Sequence, residues 1–183
     1  MRKEKNRSGL YIAIFIAMIM ILSVVGFIVS DQEKFSYGKY SFTQKNNQWT
    51  ARISGKDLSF YYLPQDVESI EVEQQIRDAI LNSKMVYITY SANETQLEDV
   101  ATAQFSLGES LGQLNIFSAS GLTEAQSGIL QVTCSNATQF VPVIMIQKDS
   151  NNSITLNNNC IILRGNPLMA ADRLKYAVYG VIK

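Results

Sequence analysis

The first apolar stretch of the chain shows no helical or strand periodicity, because it is apolar at nearly every position. It covers residues 9–30, which are 22 residues without a charged side chain. A helix rises about 1.5 Å per residue, so this length crosses a hydrocarbon core of roughly 30 Å. The pattern therefore predicts a transmembrane helix over 9–30 that contacts the lipid bilayer.

The flanks of this stretch predict its orientation. The tail 1–8 carries four basic side chains and one acidic side chain, whereas acidic residues prevail over 31–34. Basic flanks stay on the cytoplasmic side. We therefore predict a signal-anchor in the cell membrane with a cytoplasmic N-terminus and residues 31–183 outside. A cleaved signal peptide, or a pilin-type signal processed before Leu10, is the alternative.

A period of two follows over residues 35–63, where apolar side chains alternate with polar ones. This alternation is typical of half-buried strands. Two turn signals interrupt it, Asn46-Asn47 and 54–57. The segment therefore predicts an antiparallel meander, with these inward positions: Tyr40, Phe42, Trp49, Ala51, Ile53, Leu58, Phe60 and Tyr62.

Helical and strand patterns then alternate. Residues 71–82 and 94–114 carry apolar side chains at helical spacing, and residues 85–91 and 115–120 are short β-prone segments. A strand, a helix and a strand joined over this length predict a βαβ crossover with parallel strands.

Four short β-prone segments separated by Asn- and Ser-rich turns complete the predicted sheet, over 131–133, 141–147, 153–156 and 160–164. No repeat or linker divides the chain after residue 30. We therefore predict an α/β fold, with α+β as the alternative. One mixed-sheet domain over 31–183 would hold the meander, the βαβ unit and a docked C-terminal helix.

The C-terminal helix is predicted from Asn166, which precedes Pro167 as a helix N-cap. Its apolar stripe contains Leu168, Ala171, Leu174, Val178 and Val181. Asp172, Arg173 and Lys175 do not share this stripe, so we expect Asp172-Arg173 and Lys175-Tyr176 on the solvated face of the helix.

Composition excludes several classes of chemistry. The chain has no histidine, which excludes Ser-His-Asp catalysis and His-ligated zinc, and two cysteines cannot form a Cys₄ metal site. Asp149, Asn151 and Ser153 match the spacing of a calcium loop, but Cys160 stands where that loop needs a glutamate. Sixteen basic and sixteen acidic residues give a net charge of zero, so the chain has no overall positive charge that would attract nucleic acid. We predict no metal, no cofactor and no nucleic-acid partner.

The two cysteines, Cys134 and Cys160, lie in the part predicted to be exported. An even number of cysteines in an oxidising compartment favours a disulfide bond. The spacing is not C-x-x-C, which argues against thiol exchange. We predict a structural disulfide, with two buried free thiols as the alternative.

Three N-x-S/T sequons also lie on the predicted outer side. They begin at Asn93, Asn136 and Asn151, which makes these asparagines candidate glycosylation sites. Each is near a predicted turn or helix start, so the asparagines are equally well explained as capping and turn residues.

Four short segments carry a resemblance to known proteins: 134–138 (CSNAT), 142–144 (PVI), 160–163 (CIIL) and 172–176 (DRLKY). Together with the basic tail and the single N-terminal span, the chain resembles small uncharacterised archaeal single-pass membrane proteins. The resemblance covers the C-terminal third best. It implies an archaeal surface-facing protein and supplies no catalytic residues.

These observations favour a membrane-anchored extracytoplasmic module of the cell surface that binds a partner, most simply a protein, or has a structural role. Catalytic residues are not identified. The alternatives are a membrane-tethered enzyme that uses carboxylates such as Asp99 or Asp172, and a pilin-like filament subunit.

Overall fold

The computed structural model of the chain describes residues 7–28, 33–95 and 97–182. The chain divides into two compact units, one up to Glu33 and one from Lys34 onward. The first unit contains helix α1 (Arg7–Ile28). Within the described residues, the second unit contains nine strands and four α-helices.

Helix α1 lies where the apolar stretch 9–30 predicts a helix, although Val29 and Ser30 fall outside the described residues. Of the helices in the described part of the chain, none combines the length and the apolar character that a membrane span requires. The structure therefore does not support the predicted span, which stays a prediction.

Sheet A is the predicted meander. Its strands pair antiparallel in sequence order. They are β1 (Lys34–Tyr37), β2 (Tyr40–Lys45), β3 (Gln48–Ile53) and β4 (Lys56–Phe60). Asn46 and Asn47, at φ 50° and 61°, form the left-handed turn between β2 and β3; asparagine tolerates this conformation better than most residues. The turn signal in the sequence was thus correct.

Sheet B has five strands in the order β6-β5-β7-β9-β8, of which all but β8 are mutually parallel. They are β5 (Met85–Tyr90), β6 (Phe117–Leu122), β7 (Val143–Gln147), β8 (Ser153–Asn157) and β9 (Cys160–Arg164). Strands β6 and β8 therefore form the two edges. The strands belong to two sheets and not to one mixed sheet, because within the described residues the strands of the meander pair only with one another.

Helices connect and cover these sheets. They are α2 (Pro64–Val67), α3 (Gln74–Leu81), α4 (Leu97–Gly112) and α5 (Pro167–Val178). Helix α4 joins the parallel strands β5 and β6, which confirms the predicted βαβ unit. The fold is a mixed α/β fold, as predicted.

Helix α5 lies between the two sheets. It begins as predicted, because Asn166 Oδ1 accepts hydrogen bonds from the backbone N–H groups of Leu168 and Met169. On one side the ring of Tyr176 stacks on Phe60 of sheet A, with ring centroids 4.2 Å apart. On the other side the helix contacts β8 and β9 of sheet B. Every residue from 170 to 179 is buried.

The prediction that the polar face of this helix is solvated is wrong. Asp172 is 1% exposed, Arg173 and Lys175 are each 2% exposed, and Tyr176 is fully buried. An apolar stripe predicts which face of a helix meets the first layer of a protein. Sheet A forms a second layer over the opposite face, so the polar side chains are enclosed as well.

Candidate functional site

The two cysteines form the predicted disulfide bond. Cys134 begins a 3₁₀ helix (Cys134–Asn136) between β6 and β7, and Cys160 is the first residue of β9. Their Cα atoms are 5.2 Å apart. Cys160 packs with Val132 and Val143 in a small cluster separate from the main core. The bond thus holds the connection between β6 and β7 against the face of sheet B opposite α5.

The three sequon asparagines are all exposed. Asn93 follows β5, Asn136 ends the 3₁₀ helix and Asn151 precedes β8. Asn136 also has the predicted capping role, since its Oδ1 accepts a 2.8 Å hydrogen bond from the backbone N–H of Thr133. Within the described residues, none of the three Nδ2 atoms donates a hydrogen bond. Glycosylation at these positions is sterically open and stays a prediction.

The enclosed charges of α5 form an ion pair. Asp172 Oδ1 lies 2.7 Å from Lys175 Nζ, and both side chains are 1% exposed. Asp172 Oδ2 accepts hydrogen bonds from the backbone N–H groups of Tyr61 at 2.6 Å and Tyr62 at 2.9 Å. Burial raises the pKa of the Asp172 carboxyl, and the ammonium of Lys175 and the two N–H groups act in the opposite direction. The pair therefore fastens α5 to the chain directly after β4.

Lys175 uses its remaining hydrogens inside the protein. Its Nζ donates to the backbone oxygen of Ser59 at 2.7 Å and to Ser106 Oγ at 2.8 Å. It also lies 4.7 Å from the ring centroid of Phe60. These contacts join α5 to β4 and α4, which is a structural role.

Of the two candidate catalytic carboxylates, the structure excludes Asp172 from contact with a substrate. Asp172 cannot reach a substrate, because protein groups surround both of its oxygens. Asp99, the other candidate, lies in the first turn of α4. Among the described residues, no three His, Cys, Asp or Glu side chains converge on a position that could hold a metal ion.

One surface carboxylate has a strongly perturbed pKa. Glu124, two residues after β6, accepts hydrogen bonds from Ser91 Oγ at 2.6 Å and from the backbone N–H of Ala92 at 2.9 Å. These bonds lower the pKa of Glu124 to about 2. The carboxyl ends of parallel strands are a common place for ligands, but here both oxygens of Glu124 already connect the loops that follow β5 and β6.

Strand β6 has a free outer edge, which we call the β6 edge (117–120). Its inner side pairs with β5, where the N–H of Phe117 bonds to the carbonyl of Lys84. Because backbone groups alternate in direction along a strand, Ser118 and Ser120 point their N–H and C=O groups outward. In the part of the chain that the structure describes, no backbone partner meets these groups.

Large apolar side chains are exposed on and beside this strand. Phe117 is 67% exposed, and Phe105 of α4 is 73% exposed. Ile129 and Leu130, which belong to the segment next to the end of β6, are 45% and 50% exposed. The Ser118 side chain lies against Gly108 of α4, so the neighbouring Phe117 faces the opposite side of sheet B from that helix. The exposed apolar groups therefore lie on both sides of the β6 edge, and such groups at a sheet edge can mark a protein-binding surface.

A second accessible feature is a groove of about 360 Å³ at the opposite side of sheet B, which we call the α3 groove. Helix α3, the turn 138–141 and the turn between β8 and β9 form its walls. Leu156 and Ala79 lie among its apolar lining residues. The polar and aromatic lining residues are Gln75, Asp78, Asn82, Gln139, Phe140 and Asn159.

Comparison with known proteins adds no functional assignment, because no protein family, curated protein or solved structure matches the chain. The resemblance to archaeal single-pass proteins stays a prediction.

Neither the β6 edge nor the α3 groove was predicted from the sequence. Phe105 lies off the apolar stripe of its helix, and Phe140 stands in a polar turn. A large aromatic side chain at a position where the periodicity requires a polar one is the signal that could have indicated them.

Proposed function

We propose that this chain is a membrane-anchored binding module, held by residues 9–30 with its α/β domain outside the cytoplasm, and that it binds a protein partner along the β6 edge. The exposed apolar groups beside unpaired backbone groups of β6 are the observation that carries the binding role.

Three observations support the anchored and exported arrangement. Nine large apolar side chains between Tyr11 and Ile21 of α1 are 51–67% exposed, a surface that lipid would cover. The disulfide between Cys134 and Cys160 suits an oxidising compartment. The basic tail 1–8 favours a cytoplasmic N-terminus.

The proposed partner contributes an extended segment to sheet B. Unpaired N–H and C=O groups at a sheet edge can accept a further strand. The chain itself does this at the end of β6, where the N–H of Leu122 bonds to Leu130 and the carbonyl of Leu122 accepts from Val132. A partner strand would continue this pairing at Ser118 and Ser120. The ring of Phe117 would then pack against side chains of the partner strand.

Photo-crosslinking in the cells that make the protein tests this role. With benzoylphenylalanine in place of Phe117, we expect one discrete protein adduct. Adding Ser118→Pro should abolish the adduct, because proline removes the outward N–H while leaving the bonds to β5 intact. The same probe at the exposed Arg52 of β3 is the matched control and should give no such adduct.

The role would be refuted if position 117 yields no discrete adduct, or if the adduct persists undiminished with Ser118→Pro. Unfolding of the Ser118→Pro variant distinguishes lost binding from lost structure. At this exposed edge we expect a change in the free energy of unfolding below about 1 kcal/mol.

A further inference from the structure

The α3 groove presents an exposed aromatic ring on a fixed turn. Phe140 is 76% exposed, which is the largest exposed fraction among the large apolar side chains of the described residues. Its turn is closed at both ends, since the N–H of Thr138 bonds to the carbonyl of Val141 and the N–H of Val141 bonds to Thr138 Oγ1, each at 3.0 Å. The backbone that carries the ring is therefore ordered before any ligand arrives, which reduces the entropic cost of binding.

Four carboxamide side chains line the groove together with this ring. Gln75 and Asn82 come from α3, Gln139 from the same turn as Phe140, and Asn159 from the turn between β8 and β9. Within the described residues, none of these four side chains makes a hydrogen bond to another group of the protein. Each amide offers two donor hydrogens and an acceptor oxygen. The groove thus holds a set of unused donors and acceptors.

Fixed backbone positions carry two of these amides. The N–H of Asn82 bonds to the carbonyl of Asp78 at the end of α3, at 3.0 Å. The carbonyl of Asn159 accepts from the N–H of Val143 at 3.2 Å, and Asn159 has the left-handed φ of 64° in a tight turn. The amides therefore stand on anchored parts of the fold.

The charge of the groove limits the ligand further. Among the described residues that line it, Asp78 is the one ionisable residue and none is basic. Phosphate, sulfate and nucleic acid are bound chiefly by cationic side chains, so the carboxylate of Asp78 disfavours them in this groove. Asp78 Oδ1 accepts a hydrogen bond from Gln74 Nε2 at 2.9 Å, and Oδ2 has no partner among the described residues. A neutral hydroxyl group donates and accepts at once, so it matches the carboxamides and this carboxylate oxygen.

We propose that the α3 groove binds a neutral oligosaccharide. The ring of Phe140 packs against the apolar C–H face of one sugar unit, while Asn82, Gln139 and Asp78 exchange hydrogen bonds with its hydroxyl groups. A volume of about 360 Å³ is within the roughly 300–1,000 Å³ of small-ligand sites. The groove lies beside β8, whereas the proposed protein-binding surface lies at β6, so the two sites are at opposite edges of sheet B.

Calorimetric titration of the full-length chain, in a medium without sugar-headed detergent, tests this proposal. The probes are maltotetraose, cellotetraose, mannotetraose and N-acetylchitotetraose, with a sulfated heparin tetrasaccharide as the anionic comparison. We expect saturable millimolar or tighter binding of at least one neutral probe and none of heparin. Phe140→Ala should weaken that binding about tenfold or more.

Phe105→Ala is the matched control, because Phe105 is equally exposed but lies on α4; it should leave the affinity unchanged. Asn82→Ala should weaken binding in the same direction as Phe140→Ala, with the unfolding temperature of both variants preserved. No binding of any neutral probe, tighter binding of heparin, or an affinity insensitive to Phe140→Ala would each overturn the proposal. These outcomes are independent of whether the β6 edge yields a protein adduct.

Discussion

Replacing Asp172 with asparagine should destabilise the domain by about 3 kcal/mol or more, because the change leaves the ammonium of Lys175 buried without its counter-charge. Asparagine can still accept from the N–H groups of Tyr61 and Tyr62. The loss therefore comes chiefly from the ion pair. Denaturant unfolding of residues 34–183, followed by circular dichroism, measures the change in the free energy of unfolding.

The change in the free energy of unfolding distinguishes a carboxylate in a buried ion pair from one that is exposed on the surface. Glu109→Gln, at an exposed position of α4, is the control and should change the free energy of unfolding by less than about 0.5 kcal/mol. The double variant Asp172→Asn with Lys175→Met should recover part of the loss, because no buried charge then remains unpaired. A loss at Asp172 as small as at Glu109 would contradict the enclosed pair.

Removing the disulfide should have the second large effect. Cys134 and Cys160 are 26 residues apart, and the chain-entropy model assigns about 3–4 kcal/mol to a loop of this length. We expect the double variant Cys134→Ala with Cys160→Ala to lose this amount in denaturant unfolding. Alanine is preferred to serine because Cys160 is fully buried and a hydroxyl group there would lack a partner.

A reducing agent provides the matched control for this variant. Dithiothreitol should lower the stability of the native chain to the level of the variant and leave the variant unchanged. Hydrogen exchange at Val132 and the turn 138–141 should also accelerate, since the bond holds this connection to β9. A native chain that is indifferent to dithiothreitol would show that the bond adds no stability.

The sequence predicted the elements that depend on local pattern. Alternation and Asn-rich turns indicated the meander of sheet A, and helical spacing between two β-prone segments indicated the βαβ unit. The N-cap at Asn166 could be predicted because its hydrogen-bond partners, Leu168 and Met169, lie two and three residues further along the chain. The disulfide followed from an even cysteine count together with predicted export, and the structure confirms it.

The features that could not be predicted from the sequence depend on contacts between distant parts of the chain. Asp172 meets the backbone of Tyr61 and Tyr62, which precede it by more than a hundred residues. No periodicity on α5 reveals that a second sheet covers its polar face. The spacing of Asp172 and Lys175 at i and i+3 is compatible with an ion pair, but an exposed helix uses the same spacing. The sequence therefore left open whether these charges were solvated.

The α3 groove could not be predicted from the sequence for the same reason. Its amides come from α3, from the turn 138–141 and from the turn between β8 and β9, and each of them reads alone as an ordinary turn or surface residue. Only the fold brings them into one groove with Phe140.

Surface labelling of intact cells tests the central claim, that the α/β domain is outside the cytoplasm and the tail 1–8 is inside. A membrane-impermeant amine reagent is applied to intact and to permeabilised cells, and labelled lysines are identified by mass spectrometry. We predict labelling of the exposed Lys39, Lys45 and Lys84 on intact cells, and of Lys3 and Lys5 only after permeabilisation. Labelling of the domain lysines only after permeabilisation would contradict the account.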